Sequence, residues 1–241
     1  MPYRFAPITE AVFDLQFESP LSEADMRGAG REFQAAYPKA EDELEVRLEM
    51  RLAPQGLAPE IKPVATLSGL KLTGTSGDQL VVIKLKEFSS NKLAPYQSWE
   101  DFEPVCWDNY MTLKKKVGYR KITRMALRYI NRIDVPSLQV GTANYINFGL
   151  SAPFESDSSS FSSTVACFHE GFVANLNIAR LPVSPLFRHT SFLLDIDIWL
   201  SDNVPQKDGE LREAFGRLRT SKNSLFESLI TDQSRALFEV P

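Results

Sequence analysis

The sequence predicts an α+β fold in which a mostly antiparallel β-sheet carries helices packed mainly on one face. Three features predict it. Runs of alternating polar and apolar residues recur along the chain, short Gly- or Asp-containing reversals join several of them, and no strand–helix–strand rhythm repeats. At 241 residues, 43% hydrophobic and 24% charged, the chain can bury a sizeable core, which fits one compact domain spanning 1–241. A strands-then-helix order recurs, so two fused divergent halves, 1–135 and 136–241, sharing one continuous sheet are the alternative.

In residues 8–17, Ala11, Phe13, Leu15 and Phe17 share one face while Glu10, Asp14 and Gln16 share the other, as in a half-buried strand. Ser22 with Asp25 three residues on makes a capping pattern, and Met26, Ala29, Phe33 and Tyr37 follow at helical spacing up to Pro38. Gly28 and Gly30 weaken that helix on its own, so it depends on packing against the sheet. Leu44, Val46, Leu48 and Met50 alternate with charged residues in a second strand, and 53–63 read as a loop. Residues 64–73 and 79–88 form a hairpin around Gly74 to Asp78, with a short strand extending from Phe88 towards Pro95. Ser98 caps a helix whose apolar face carries Phe102, Val105, Cys106, Tyr110, Leu113 and Val117. Lys114, Lys115 and Lys116 close it, where cations complement the helix dipole. Further on, 151–163 read as a polar loop and 163–169 and 172–180 as strands turning at Glu170 and Gly171. Pro182 and Pro185 precede a strong strand at 190–200. Two helical segments, 208–218 and 221–238, end the chain, with Ser224 and Glu227 as a capping pattern and a restart at Thr231–Asp232.

The central stretch, Arg120 to Val135, offers the sharpest candidate chemistry. Read as a strand, it places Arg120, Arg124, Arg128 and Arg132 on one face, and Met125, Leu127, Tyr129 and Ile133 on the other. Guanidinium groups about 13 Å apart at four-residue spacing could track phosphates or clamp an anion, with Tyr129 and Asn131 assisting. Glu10, Asp14, Asp195 and Asp197 lie on the polar faces of two other strands, so the same arginines also suit a cross-strand ion-pair ladder. A protein interface is the third reading of the stripe.

Other chemistry finds less support. Asp14, Asp195 and Asp197 lack the accompanying lysine pattern, phosphate loop and ligand spacing of a nuclease metal site. His169 and His189 stand without cysteine pairs at zinc spacing, and no nucleophile elbow accompanies them. No metal or cofactor is implied. Cys106 and Cys167 fit buried reduced thiols rather than a disulfide framework. The aromatic group of Phe88, Tyr96, Trp99 and Phe102 reads as core. A net charge of −4 argues against a wholly basic nucleic-acid clamp. The amino terminus has no signal-peptide pattern and no apolar run is long enough for a bilayer, so a cytoplasmic protein without a membrane partner is expected.

Four stretches, PITEAVFDL (7–15), LAPYQSWEDF (93–102), LRYINRI (127–133) and NSLFESLITD (223–232), together resemble a sporadically distributed family of uncharacterised bacterial proteins of about this length. The resemblance implies no catalytic residues, cofactor or substrate. Its patchy distribution implies genes carried by mobile elements or phage-defence islands. Absent a catalytic signature, the expectation is a non-enzymatic binding or accessory protein that recognises a protein partner. The alternatives are an anion or nucleic-acid binding module using the arginine stripe, and an enzyme acting on a small anionic metabolite held between sheet and helices. Homo-oligomerisation stays open.

Overall fold

The computed structural model describes residues 3–51, 60–138, 140–149, 160–183 and 188–239. The elements in order are β1 (Ile8–Phe17), α1 (Glu23–Phe33), β2 (Lys39–Arg51), β3 (Glu60–Thr73), β4 (Gln79–Lys84), β5 (Glu87–Leu93) and α2 (Trp99–Val117). They continue with β6 (Ile122–Val135), a 3-10 turn at Thr142–Asn144, β7 (Phe161–His169), β8 (Phe172–Arg180), β9 (Thr190–Leu200), α3 (Asp208–Leu229) and α4 (Asp232–Leu237). Among the described residues nine strands form one sheet, in the order β2-β3-β4-β5-β1-β6-β9-β8-β7, and every neighbouring pair is antiparallel. The α+β class with an antiparallel sheet is therefore what the chain adopts.

The sheet is organised about the β1–β6 pair. Outward from it the strands run back through the sequence on both sides, β5 to β2 on one and β9 to β7 on the other. On each side a long helix, α2 or α3, follows the last strand. The helices cover the face that carries Phe13, Leu127 and Ile196. Phe13 stacks on Phe215 of α3 with ring centroids 3.9 Å apart, and Phe88 meets Tyr110 of α2.

Local signals account for the ends of α1 and α2. Ser22 Oγ accepts from the Asp25 amide while the Asp25 carboxylate accepts from the Ser22 amide, closing a full capping box. Ser98 caps α2 through the Asp101 amide, and Gly118 ends it at φ 75°, a left-handed conformation that disfavours residues with a Cβ. The lysines at its end reach neighbouring helices: Lys114 pairs with Asp208 and Lys116 with Glu32.

Several boundaries differ from the sequence reading. The run 79–88 is not one strand; it reverses at Leu85–Lys86, so that Ile83 faces Phe88 across β4 and β5. No Gly, Pro or Asn marks that turn. Residues 60–63, read as loop, belong to β3, where Pro63 stands opposite Leu48; the remainder of that loop, 53–59, lies outside the described residues. Of the polar stretch 151–163, residues 161–163 begin β7, while 151–159, like Pro185, lie outside the described residues. The two C-terminal segments are one helix to Leu229, whose buried stripe runs from Leu211, Ala214, Phe215 and Leu218 through Ser221 and Lys222 to Leu225, Phe226 and Leu229. Ser221 and Ser224 therefore sit inside α3 and cap nothing, whereas the restart after Thr231 is real, with Thr231 Oγ1 accepting from the Ser234 amide.

β2 departs further from expectation. β3 pairs with β4 only through Gly69–Thr73, so among the described residues Leu44–Arg51 and Glu60–Leu67 pair with each other alone and form a two-stranded arm. On it the alternating apolar residues are uncovered, with Leu44, Val46 and Leu48 at 57%, 60% and 71% exposure. No described helix is long and apolar enough to cross a membrane.

Candidate functional site

β6 presents different chemistry on its two faces. On the open face, Arg124 donates to Asp14 and to Asp197, each at 2.7 Å, and its guanidinium lies 4.8 Å from the Trp199 ring. Arg128 forms a two-pronged pair with Asp195 at 2.7 and 2.8 Å, and Asn177 donates to the same carboxylate. The register makes this possible, because β6 faces β9 with Arg128 opposite Asp197 and Ile130 opposite Asp195, while Gln16 of β1 lies opposite Arg124. Burial, followed by the nearby Glu87, pushes the Asp14 carboxyl up to about 7 despite its contact with Arg124. Asp197 is raised by burial as well. Arg128 is held above its ordinary value, chiefly by its hydrogen bonds to Asp195.

The remaining stripe residues do not extend this lattice. Arg132 pairs with Asp134 of its own strand and donates to Ser191. Arg120 precedes the strand and approaches Asp25 at 3.5 Å. Glu10 accepts from Asn91 and acts on Arg128 only through its field. Two arginines meet three aspartates in the lattice, a formal charge of −1, which leaves no surplus for a phosphate. Among the described residues no group of three or more His, Cys, Asp or Glu converges as metal ligands do.

Tyr129 and Asn131, grouped with the stripe in the sequence reading, stand on the opposite, helix-covered face, since successive residues of a strand alternate sides. There they line a cavity of about 540 Å³ between the sheet, the start of α2, the second half of α3 and the segment preceding β1. Its size is typical of small-molecule sites. All four stretches singled out in the sequence reach it, through Pro7 and Ile8, Tyr96 to Glu100, Tyr129 and Asn131, and Asn223 and Phe226.

The floor is rigid. The Tyr129 hydroxyl meets that of Tyr96 at 3.1 Å, and its ring makes edge contacts with Tyr96 and Phe102. Burial raises both phenols, Tyr96 to about 12, so they are neutral donors at physiological pH. Asn131 spends its amide group on the carbonyls of Tyr129 and Leu194, which orients Oδ1 as the atom left for a donor. Near the rim, Arg219 pairs with Glu100 at 3.0 Å and lies over Trp99, while Glu227 accepts from Tyr3 and from Arg235.

Lys222 is the exception among these charges. It is 8% exposed, its Nζ lies 3.8 Å from the centre of the Tyr129 ring, and among the described residues it makes no hydrogen bond or ion pair. Burial, followed by repulsion from Arg219, lowers its pKa to about 7, with only partial relief from Glu227. Glu100 pairs with Arg219 and Glu227 with Arg235, which Asp232 also engages, so among the described residues Lys222 is the cation of the lining with no carboxylate bonded to it.

Reading the C-terminal helix in two pieces hid Lys222. Over one helix it falls seven residues after Phe215, four after Leu218 and four before Phe226, a lysine on an otherwise apolar stripe. That interruption is a usable sequence signal. Tyr96 and Trp99, assigned to core in the sequence reading, pack against the core and also reach the cavity wall, while Phe88 and Phe102 are buried. No family model matches the chain, and no curated protein is significantly similar to it.

Proposed function

We propose that the protein is a binding protein for a small carboxylate with an aromatic or apolar body, held in the cavity between Arg219 and Lys222. The observation that carries this reading is the buried Lys222, bonded to no carboxylate among the described residues and facing an aromatic-lined space. A single surplus cation suits a monoanion better than a phosphate, which calls for more donors. Tyr3, Tyr96, Trp99, Tyr129 and Phe226 suit a flat apolar body. The four stretches behind the family resemblance meet at this cavity, which supports placing the function there.

Titration calorimetry with phenylacetate tests the reading. Binding is expected to take up protons near pH 7.5, as the anion restores the Lys222 charge, and to weaken as pH rises further. Equal binding by Lys222→Met, or none by the wild type or to any of a panel of small carboxylates, overturns it.

A second observation favours a protein partner as well. The β2–β3 arm exposes an apolar strip that a two-stranded ribbon in water does not readily sustain alone. Residues 39–51 hold five acidic and three basic side chains, net −2, so the matching partner presents an apolar strip flanked by lysine or arginine. We assign to this arm the accessory role, with a mobile-element or phage-defence setting as its context. A basic partner bound by the wild type and lost in a folded Leu48→Asp variant supports the assignment. Dispersal of a homodimer by that variant makes the arm a self-association surface instead.

A further inference from the structure

Arg219 and Lys222 lie one turn apart on α3 and both face the cavity, yet their surroundings differ. Arg219 is at the rim, 37% exposed at its side chain, and only its Nη2 is engaged, on Glu100, among the described residues. Its other N–H groups remain for a carboxylate. Lys222 Nζ faces the cavity and has no acceptor among the described residues, with the Tyr129 ring beneath it and the Tyr96–Tyr129 hydroxyl pair meeting at that ring's edge. A lysine desolvated in an apolar site next to another cation is the arrangement that makes an amine nucleophilic. The titratable and charged groups around it are Tyr129 on the sheet, Tyr96 and Glu100 at the start of α2, Tyr3 before β1, and Arg219 and Glu227 on its own helix. None is a carboxylate bonded to Nζ.

We propose that Lys222 forms a reversible imine with an aromatic 2-oxo acid whose carboxylate is held by Arg219, an inference that rests on the carboxylate-binding reading above. The amine lone pair attacks the keto carbon, forming a C–N bond as the C=O π pair moves to oxygen, which takes a proton from solvent or a neighbouring phenol. The nitrogen loses one proton to give the neutral carbinolamine, whose hydroxyl takes a second proton; the C–O bond then breaks as the nitrogen lone pair forms C=N, water leaves, and the iminium gives up its remaining N–H proton. The product is a C=N bond and one water, with no change of oxidation state. The lowered pKa of Lys222 supports this, since about half of the amine is free near pH 7 whereas an exposed lysine is almost wholly protonated.

The test uses the full chain with phenylpyruvate and cyanoborohydride at pH 7.5, which reduces any imine to a stable secondary amine located by peptide mass spectrometry. Labelling of Lys222 is expected to exceed that of exposed lysines such as Lys207 by about tenfold or more, and to be suppressed by phenyllactate, which has the carboxylate without the ketone. Lys222→Arg is expected to lose the adduct, which assigns the labelled amine to this position. Phenyllactate binding by the wild type without an adduct at Lys222 overturns the imine and leaves carboxylate binding standing. Absence of binding by both acids overturns both. Adducts spread evenly over surface lysines also overturn the imine, and that readout on the wild type does not depend on how the variant folds.

Discussion

The two faces of β6 use similar residues to opposite ends. On the open face Arg124 and Arg128 are matched by Asp14, Asp195 and Asp197 at 2.7–2.8 Å. On the covered face Lys222 lies over Tyr129 with no acceptor among the described residues. Both settings bury charge, Asp14 and Asp195 on one face and Lys222 on the other, but one keeps its opposite charges inside the fold and the other leaves a charge for something else to match. A matched lattice is structure, because removing a member strands its partner. An unmatched buried cation costs stability as it stands, and a ligand is what can offset that cost. Arg124 and Arg128 are therefore bound into the fold's own ion pairs, and the single lysine is what the proposed site is built around.

The largest effect that could break this contrast is expected on the matched face. Arg124→Ala leaves Asp14 and Asp197 without their shared partner and removes the contact with Trp199. A loss of about 3 kcal/mol is expected in denaturant unfolding, at the lower end of the range for breaking a buried pair, because Asp14 can protonate near neutral pH. A loss below about 1 kcal/mol would mean that the lattice is ornamental and the arginines free for ligands.

On the unmatched face the sign reverses. Lys222→Met is expected to stabilise the ligand-free protein by about 2–4 kcal/mol at pH 7, part of the cost implied by a fall from 10.5 to about 7 at about 1.36 kcal/mol per pKa unit. The unfolded lysine holds a proton that the folded one gives up between pH 7 and 10.5, so wild-type stability gains from this group as pH rises through that window. The advantage of the methionine variant is therefore full below pH 7 and shrinks towards pH 10.5. An advantage that is flat with pH would show that Lys222 keeps its charge in the fold.

A smaller effect sharpens the picture of the floor. Tyr129→Phe keeps the ring under Lys222 and removes the hydroxyl that meets Tyr96. About 1 kcal/mol of stability is expected to go with that hydrogen bond. The fall in the lysine pKa comes first from burial and should persist, which nitrogen-detected NMR titration of Lys222 would read directly.

How much of this was legible in the sequence depends on range. Alternation and capping are local, so β1, α1, α2, β8 and β9 can be read residue by residue, as can the opposite orientations of Arg128 and Tyr129. The partners Asp14, Asp195 and Asp197 could be named from their polar faces, but the strand order that places β1 and β9 on either side of β6 is a tertiary fact. The cavity draws on residues from Tyr3 to Glu227, and no local pattern specifies such a convergence. Its one local trace is Lys222 on an apolar helical stripe, and a helix read in two pieces erases that trace.

The smallest expected effect concerns a third surface, where apolar residues rather than charges lack a partner. Leu48 sits on the β2–β3 arm at 71% exposure, whereas Leu72, in the part of β3 that β4 also pairs, is fully buried. Leu48→Thr removes little area from contact with the protein and retains strand propensity, so stability is expected to change by no more than about 0.5 kcal/mol. Leu72→Ala, by contrast, empties packed volume and is expected to cost about 2–5 kcal/mol. If Leu48→Thr destabilises the isolated chain by more than 1 kcal/mol, the arm folds onto covering residues of its own chain and the partner reading fails. A neutral change leaves its apolar strip, like the charge of Lys222, unmatched within the fold, and a partner that protects the arm's amides from hydrogen exchange would then supply the match.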